Sequence, residues 1–419
     1  MSMGLAGMLK EVSKTLEPNK KFIEKVNVFI KDLNELLSSK KIDAICVPGG
    51  SVAKGTLIKD DHDVDLFVRF NFEKYENKDI SKELEKALKG NFDYEKVHGS
   101  RDYFQITDKK LVFELVPVLY IDNYKMAKNV TDMSPFHVEW VKKNSNNKLL
   151  SEIRLLKQFC KANDLYGAES YIGGFSGHII DIMTIHYGSF LDVLNASQDW
   201  KDKEIIDIEH HLDDPFNDLN SSKVLSPLII VDPVQPDRNA AAALSEEKFD
   251  LFKEKAKEFL KNPSKEFFKK KKFDLNKIKK EKANDEKIII FYAKALPGKT
   301  DVVGAKLVKV YEYLAKELKR NDFKTKRKGW NWDKEKDVCF YFFIDGKELE
   351  KELEKRGPPT KILEDSTRFR AKHDNVYVRN GRFYAKVERK FIKPLQIANF
   401  LIKETYVKER VKAIKKEVL

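Results

Sequence analysis

Two aspartates one residue apart, Asp63 and Asp65, stand inside the apolar run HDVDLFVRF. On a β-strand, residues i and i+2 project from the same face about 6–7 Å apart. Two carboxylates held in this way repel each other unless a cation lies between them or one is protonated. Magnesium is a hard ion that takes oxygen ligands and bridges carboxylates to substrate phosphates. The pair therefore predicts a magnesium (Mg2+) site.

A glycine-rich segment, GGS, lies upstream of this pair, and its Ser51 precedes Asp63 by twelve residues. Bare backbone N–H groups and a hydroxyl close to a helix start are suited to bind phosphate. A phosphate cradle beside paired carboxylates indicates metal-assisted nucleotidyl transfer. The alternative interpretation is a turn followed by an ordinary surface aspartate pair.

A third acid, Glu114, stands alone among the apolar residues of KLVFELVPV. A two-metal site needs a further carboxylate from a neighbouring strand, and Glu114 is the candidate for it. The alternative is a glutamate on an edge strand that faces water.

The composition favours an anionic partner. The 419 residues carry a net charge of +13, the isoelectric point is near 9.2, and 35% of residues are charged. Such a basic excess is typical of nucleic-acid binding, although lysine-rich solvated surfaces produce it as well. The three cysteines are far apart, which favours a reducing compartment over disulfides or zinc. No apolar run approaches the length of a membrane span, so we expect a cytoplasmic protein without a membrane partner.

The elements that position these residues form three predicted regions. Residues 1–140 form a catalytic head in which helical periodicity over 5–40 precedes several strands, the acids lying on HDVDLFVRF and KLVFELVPVLYI. Residues 141–262 form a helical central domain that includes the helix SEIRLLKQFCKANDLYG, closed by Gly167. Residues 263–419 form a basic α+β body and tail. The fold class is thus α/β and α+β, in several domains.

The lysine-dense segment 265–287 is interpreted as a linker or as the edge of a new domain. Beyond it, IIIFYA and DVCFYFFI are predicted strands with a helix over 303–319 between them. A third part is expected to begin at GPP, residues 357–359, and to end in the strand GRFYAKVERKF.

Seven segments occur in this order along the chain: GGSVAKGTLIKDDHDVDLF, FELVPV, MSPFHVEW, IRLLKQFCKANDLYGAE, GGFSGH, DPVQPDRN and KEFLKNPSKEFF. The series resembles the archaeal class I CCA-adding enzymes, which are tRNA nucleotidyltransferases, and the resemblance covers nearly the whole chain. The GGS…DxD signature is shared by the whole polymerase-β-like superfamily, whereas the downstream segments are more specific. The resemblance implies a polymerase-β-like head and template-independent addition of CCA to the tRNA 3′ end from CTP and ATP, with release of pyrophosphate.

The resemblance also assigns the site. Asp63, Asp65 and Glu114 would hold two catalytic Mg2+ ions, one activating the 3′-hydroxyl and the other steadying the triphosphate. The positions that match the family's nucleotide-binding residues are Gly50, Ser51, Lys54, Ser134, His137, Lys157, Tyr166 and Arg238. Three positions depart from the family pattern: Asp63 replaces a glutamate, Glu114 an aspartate and Lys54 an arginine.

Other interpretations of these residues stay open. His137 could be a capping or core histidine, and Tyr166 a core aromatic. Arg238 matches a region implicated in base selection. The segment GGFSGH is interpreted as a tight turn into a helix, because His178 stands where a nucleophile elbow needs glycine.

By the resemblance, the basic C-terminal half binds the acceptor stem and TΨC arm of tRNA, and a homodimer is compatible with the sequence. The alternative enzyme is an adenylyltransferase of the poly(A) polymerase or oligoadenylate synthetase type. The alternative outside catalysis is an RNA-binding protein without activity.

Overall fold

The structure is a computed structural model that describes residues 4–59 and 61–419. It divides into two compact units, Met1–Lys271 and Lys272–Leu419, termed the first and the second unit. Among the described residues, no helix combines the length and the apolar character needed to cross a membrane.

The first unit contains a five-stranded sheet. Its strands are β1 (Ala44–Pro48), β2 (Asp63–Asn71), β3 (Glu95–Val97), β4 (Tyr103–Asp108) and β5 (Leu111–Tyr120). They lie in the order β1-β2-β5-β4-β3, with β2 and β5 parallel at the centre and the other neighbours antiparallel. The sheet is therefore mixed, as the polymerase-β-like expectation requires.

Alternation along β2 separates a core face from an open face. Val64, Leu66, Val68 and Phe70 are fully buried and pack together with residues of β5 such as Phe113 and Leu115. Because neighbouring side chains of a strand point to opposite faces, the residues between them lie on the other side of the sheet. That other face carries the acids at positions 63, 65 and 114.

Five helices accompany the sheet in sequence: α1 (Leu5–Leu16), α2 (Lys20–Ser39), α3 (Gly50–Lys54), α4 (Phe72–Tyr75) and α5 (Ile80–Leu88). The helical periodicity of 5–40 is thus two helices, and the Asn19 side chain caps the second by accepting from the Lys21 N–H. Helix α2 packs on the sheet core, whereas α1 joins the core of the helices that follow.

The rest of the first unit is mainly helical. It comprises α6 (Ser134–Lys143), α7 (Asn147–Ala162), α8 (Gly177–Tyr187), α9 (Phe190–Ala196), α10 (Pro215–Asp218) and α11 (Glu246–Lys261), with a small parallel pair of strands, β6 (Glu204–Ile206) and β7 (Leu228–Ile230). The prediction that Gly167 closes α7 is wrong. The helix ends at Ala162, because Asp164 adopts the left-handed conformation with φ +57° and the Leu165 N–H donates a 2.9 Å hydrogen bond to the carbonyl of Cys160.

The second unit contains two antiparallel sheets. Its elements are α12 (Leu275–Lys280), β8 (Glu286–Lys294), α13 (Thr300–Arg320), β9 (Thr325–Trp332), β10 (Asp337–Asp345), β11 (Glu352–Pro359), α14 (Leu363–Lys372), β12 (Asn375–Arg379), β13 (Arg382–Glu388), α15 (Pro394–Leu401), α16 (Thr405–Lys408) and β14 (Ala413–Val418). The sheet orders are β14-β8-β10-β9 and β11-β13-β12. The α+β character is as predicted.

One of the two boundary predictions in this region is wrong. GPP does not open a new part, since it forms the end of β11. The segment 265–287 fits the edge of a domain rather than a linker, because its first residues form a 3-10 helix whose Phe268 is buried in the first unit's helical core and packs edge-on against Phe159. The lysine run KKKK at 269–272 then spans the point where the two units divide.

Candidate active site

The three predicted acids are brought together by strand register. Asp65 lies directly opposite Glu114 in the parallel pairing of β2 with β5, and Asp63 is two residues away on the same face. The Gln105 side chain of β4 donates a hydrogen bond of 2.7 Å to Glu114 Oε1. Three carboxylates therefore share the face of the sheet that is turned away from its core.

The surroundings raise the pKa of two of these acids, Asp65 and Glu114, and such a site favours a bound cation. Burial raises the pKa of Asp65, and the charge of Asp63 adds to this rise, while Lys157 and Lys54 oppose it. Burial also raises the pKa of Glu114, as do the charges of Asp65 and Asp63, against the hydrogen bond from Gln105. Like charges in a desolvated place are relieved by a bound cation, so this donor set fits a hard divalent ion.

The glycines explain how α3 approaches the acids so closely. Gly50 has φ +43°, and a Cβ atom at this position would lie 1.8 Å from Asp65 Oδ2. The Gly49 N–H donates a 2.8 Å hydrogen bond to the carbonyl of Asp65. Helix α3, which contains Ser51, therefore begins against the carboxylate, and only glycine leaves room for it at position 50.

The predicted phosphate-binding lysines are paired with acids that the sequence reasoning missed. Lys54 Nζ lies 2.8 Å from Asp181 Oδ2 on α8, with both side chains at most one-tenth exposed. Lys157 Nζ lies 2.8 Å from Asp61 Oδ2, and Lys161 pairs with the same carboxylate. Each lysine is thus held in place by a carboxylate beside the three acids.

Tyr166 lies next to these lysines. The ammonium groups of Lys157 and Lys161 are 5.7 and 4.9 Å from its ring centroid. Burial raises the pKa of the Tyr166 hydroxyl. A Cβ atom on Gly177, the first residue of α8, would lie 3.3 Å from that hydroxyl. Tyr166 therefore belongs to this cluster, although it also packs against the helical core.

Two of the remaining predicted residues, His137 and Arg238, contact a buried carboxylate, Asp232. It accepts hydrogen bonds from His137 Nε2 at 3.0 Å, His178 Nε2 at 3.3 Å and Arg238 Nη1 at 2.6 Å. The charge of Lys54 acts on His178, which connects this group electrostatically to the lysine cluster. Ser134 is the first residue of α6, the helix that carries His137 and packs against α3.

Among the described side chains, His137, His178 and Asp232 are the set whose three possible metal-ligand atoms lie within 4.8 Å of one another. Asp63, Asp65 and Glu114 do not form such a set.

Some of the residues that the sequence analysis did not select have a recognisable signal in the sequence. Asp181 is a lone acid in the apolar helix GHIIDIMTI, and Asp232 opens the segment DPVQPDRN. The turn predicted at GGFSGH is present, with Ser176 capping α8, but His178 also faces Asp232. Asp61 carried no signal beyond its place in a run of acids.

Comparisons with known proteins agree with this geometry. The nucleotidyltransferase domain family matches residues 26–159, the part that contains the sheet and the acids. The chain is a nucleotidyltransferase. The second domain of tRNA nucleotidyltransferase matches residues 151–269, and the C-terminal domain of the CCA-adding enzyme matches residues 284–418.

Relatives along most of the length define the family. The CCA-adding enzyme of Nanoarchaeum equitans is 36% identical over 348 residues, covering 82% of this chain and 83% of that protein. The CCA-adding enzyme of Methanocaldococcus jannaschii is 30% identical over 409 residues, covering 92% and 88%. The chain belongs to the CCA-adding enzyme family, and the resemblance of the seven segments is confirmed.

Solved structures support the fold over 64–65% of the chain. A cytoplasmic RNA terminal U-transferase matches with a TM-score of 0.51 at 13% identity, covering 64% of this chain and 99% of that one. A poly(U) polymerase matches with a TM-score of 0.51 at 14% identity, covering 65% and 100%.

Proposed function

We propose that the protein adds CCA to the 3′ end of tRNA without a nucleic-acid template, using CTP and then ATP and releasing pyrophosphate. The observation that carries this proposal is the register of Asp65 with Glu114, with Asp63 on the same open face of the sheet. Family membership supports the same reaction. The 3′-hydroxyl of the tRNA would attack the α-phosphate of the incoming nucleotide.

Asp63, Asp65 and Glu114 would hold two Mg2+ ions. When bound, the ions would neutralise phosphate charge and make the attacking hydroxyl more acidic. The role of the chain itself is to supply a fixed set of oxygens. Gly50 keeps the Asp65 carboxylate in its place by leaving it room, and Gln105 orients Glu114 through the hydrogen bond to Oε1.

The nucleotide would bind between these acids and the lysines. Gly50 and Ser51 would offer backbone N–H groups and a hydroxyl to the triphosphate at the start of α3. Lys54 and Lys157 would supply charge, held in place by the carboxylates that they contact.

Four further side chains would complete the nucleotide site: Ser134, His137, Tyr166 and Arg238. His137 and Tyr166 would contact the sugar and triphosphate from α6 and from the segment after α7. Arg238, whose side chain is 44% exposed, would reach the base.

The second unit would bind the tRNA acceptor stem and TΨC arm. It contains 39 lysines and arginines against 23 aspartates and glutamates, a net charge of +16, so the first unit carries −3. The basic excess of the chain therefore lies wholly in the second unit. Phosphate neutralisation by such a surface provides affinity without sequence readout. We also propose that the protein is cytoplasmic and forms a homodimer, which light scattering would test.

The test is incorporation into a tRNA transcript that lacks its CCA end. With Mg2+ and labelled CTP, two C residues should be added, and ATP should then add one A. Sequencing the 3′ ends distinguishes the products, and the variant Asp65→Asn is the inactive control. Addition of A alone would indicate an adenylyltransferase, and no Mg2+-dependent labelling would overturn catalysis altogether.

A further inference from the structure

Asp232 is the most heavily engaged carboxylate near the proposed nucleotide site. Its side chain is fully buried. Oδ1 accepts the backbone N–H groups of Val234 at 3.0 Å and Gln235 at 3.2 Å. In addition, the Asp232 N–H donates to the carbonyl of Arg238 at 2.9 Å. The carboxylate therefore closes its own loop into one fixed conformation.

The same carboxylate binds three side chains from three different places. His137 comes from α6, His178 from α8, and Arg238 from the loop itself. The two imidazole rings lie against each other, with centroids 4.3 Å apart. A single buried charge thus determines where two proposed nucleotide-binding side chains, His137 and Arg238, are placed.

Asp232 and the three side chains around it form hydrogen bonds and do not bind a metal. Arg238 Nη1 is 2.6 Å from Asp232 Oδ2, so a cation already occupies the carboxylate. Burial, assisted by the charges of His137 and Lys54, lowers the pKa of His178 to about 4. His137, His178 and Asp232 have ligand atoms close enough for a metal, but the positive charges of Arg238 and Lys54 oppose a bound cation.

An ionised carboxylate can only accept hydrogen bonds. Nε2 of His137 and Nε2 of His178 must therefore each carry a hydrogen, which fixes the tautomer of any neutral ring. For Arg238, one terminal nitrogen is anchored, and the remaining N–H donors of the guanidinium are held in one plane. An unanchored arginine would sample many rotamers, and its donors could then meet the carbonyl oxygens of U and G.

We propose that Asp232 is a positioning residue for base selection: by fixing Arg238 and His137, it lets one site accept C and A while rejecting U and G. The proposal rests on the proposed function, in which those two residues contact the nucleotide. C and A share an exocyclic amino group where U and G carry a carbonyl oxygen. Discrimination between the two sets therefore depends on donors that cannot reorient.

The test is the variant Asp232→Asn, which retains size and removes the charge. The ratio of correct C or A to U or G at sequenced 3′ ends should fall by about tenfold or more, since charged hydrogen bonds are among the stronger ones. KM for CTP and ATP should rise more than kcat falls. In 15N spectra of histidine-labelled protein, assigned through His137→Asn and His178→Asn variants, both rings should show protonated Nε2, and this should be lost in the variant.

Asp132→Asn is a matched control. Asp132 is also fully buried, pairs with Arg101 and accepts the backbone N–H groups of Leu119 and Asn129. In the described part of the chain, its hydrogen bonds come from Arg101 and from backbone N–H groups rather than from histidines. The Asp132→Asn variant should lose about as much stability as Asp232→Asn and should keep the base selection of the wild-type protein. An equal loss of selection in both variants, or unchanged selection in Asp232→Asn, would overturn the proposal.

If Asp232→Asn does not fold, Asp232→Glu retains the charge and displaces it by one methylene, with the same loss of selection expected. If the wild-type protein adds no nucleotide to tRNA, the proposed function fails. The histidine spectra would still report on the positioning: wild-type rings without a protonated Nε2 would overturn it independently.

Discussion

Replacing Gly50 with alanine should abolish most nucleotide addition while leaving the protein folded. The backbone at Gly50 has φ +43°, and the added methyl group would lie 1.8 Å from Asp65 Oδ2. Two separate costs follow. The positive φ disfavours any residue with a Cβ atom, and the contact forces the carboxylate or α3 to move.

The size of the second cost follows from the distance. Real Cβ atoms essentially never approach a heavy atom closer than 3.0 Å, so the pair must separate by at least 1.2 Å. A misplacement of about 1 Å at a catalytic group can lower the rate about 100-fold. We therefore expect Gly50→Ala to lose about 100-fold or more in kcat, together with about 1–2 kcal/mol of stability from the backbone.

Gly90→Ala separates these two costs. Gly90 has φ +77°, and no heavy atom lies within 4 Å of the position where its Cβ would be. It should lose similar stability and retain full incorporation in the same assay with truncated tRNA and labelled CTP. If Gly50→Ala keeps more than about a tenth of the wild-type rate, which corresponds to less than about 1.4 kcal/mol of barrier, then the Asp65 carboxylate is not where catalysis needs it.

Three further predictions concern charge. Asp65→Asn should raise the melting temperature of the metal-free protein at neutral pH: burial and the charge of Asp63 raise the pKa of Asp65, so its ionised form destabilises the fold above that pKa. The gain should vanish at acid pH, where Asp65 is already protonated, and calorimetry in chelator that shows no gain at neutral pH would contradict this. Replacing Lys269–Lys272 with alanine should weaken the binding of all tRNAs alike. The slope of log K against log salt should fall by about 0.9 for each duplex phosphate that is no longer neutralised. An unchanged slope in filter binding would show that these lysines do not contact the tRNA phosphates. Asp181→Asn leaves Lys54 buried without its carboxylate, and urea unfolding should show a decrease in stability of about 3–5 kcal/mol, whereas a decrease within error would show that other acids compensate.

The acidic face of the sheet, which carries Asp63, Asp65 and Glu114, could be predicted because its signals are local. Asp63 and Asp65 alternate with fully buried apolar residues, and Glu114 interrupts a second apolar run. Period-two alternation places all three on one face once the strands are neighbours. The apolar character of β2 and β5 is typical of central strands, which agrees with their pairing.

The counter-charges could not be predicted in the same way. Lys54 and Asp181 are 127 residues apart in sequence, Lys157 and Asp61 are 96 apart, and His137 and Asp232 are 95 apart. No local pattern specifies such partners, because they depend on how the helices pack against the sheet. A lone acid in an apolar helix, such as Asp181, indicates from sequence alone only that it needs some partner.

The surroundings of the proposed triphosphate site are acidic overall, although the site is to bind an anion. Three lysines stand against five acids: Lys54, Lys157 and Lys161 against Asp61, Asp63, Asp65, Glu114 and Asp181. With these groups in their usual charge states the net charge is −2. Asp61 and Asp181 already occupy the lysines, so a bare triphosphate would meet repulsion strengthened by the low local dielectric. Cations must therefore enter with the nucleotide or before it. The lysines, which their acids hold in place, then orient the phosphates, but they do not bind them in the absence of metal.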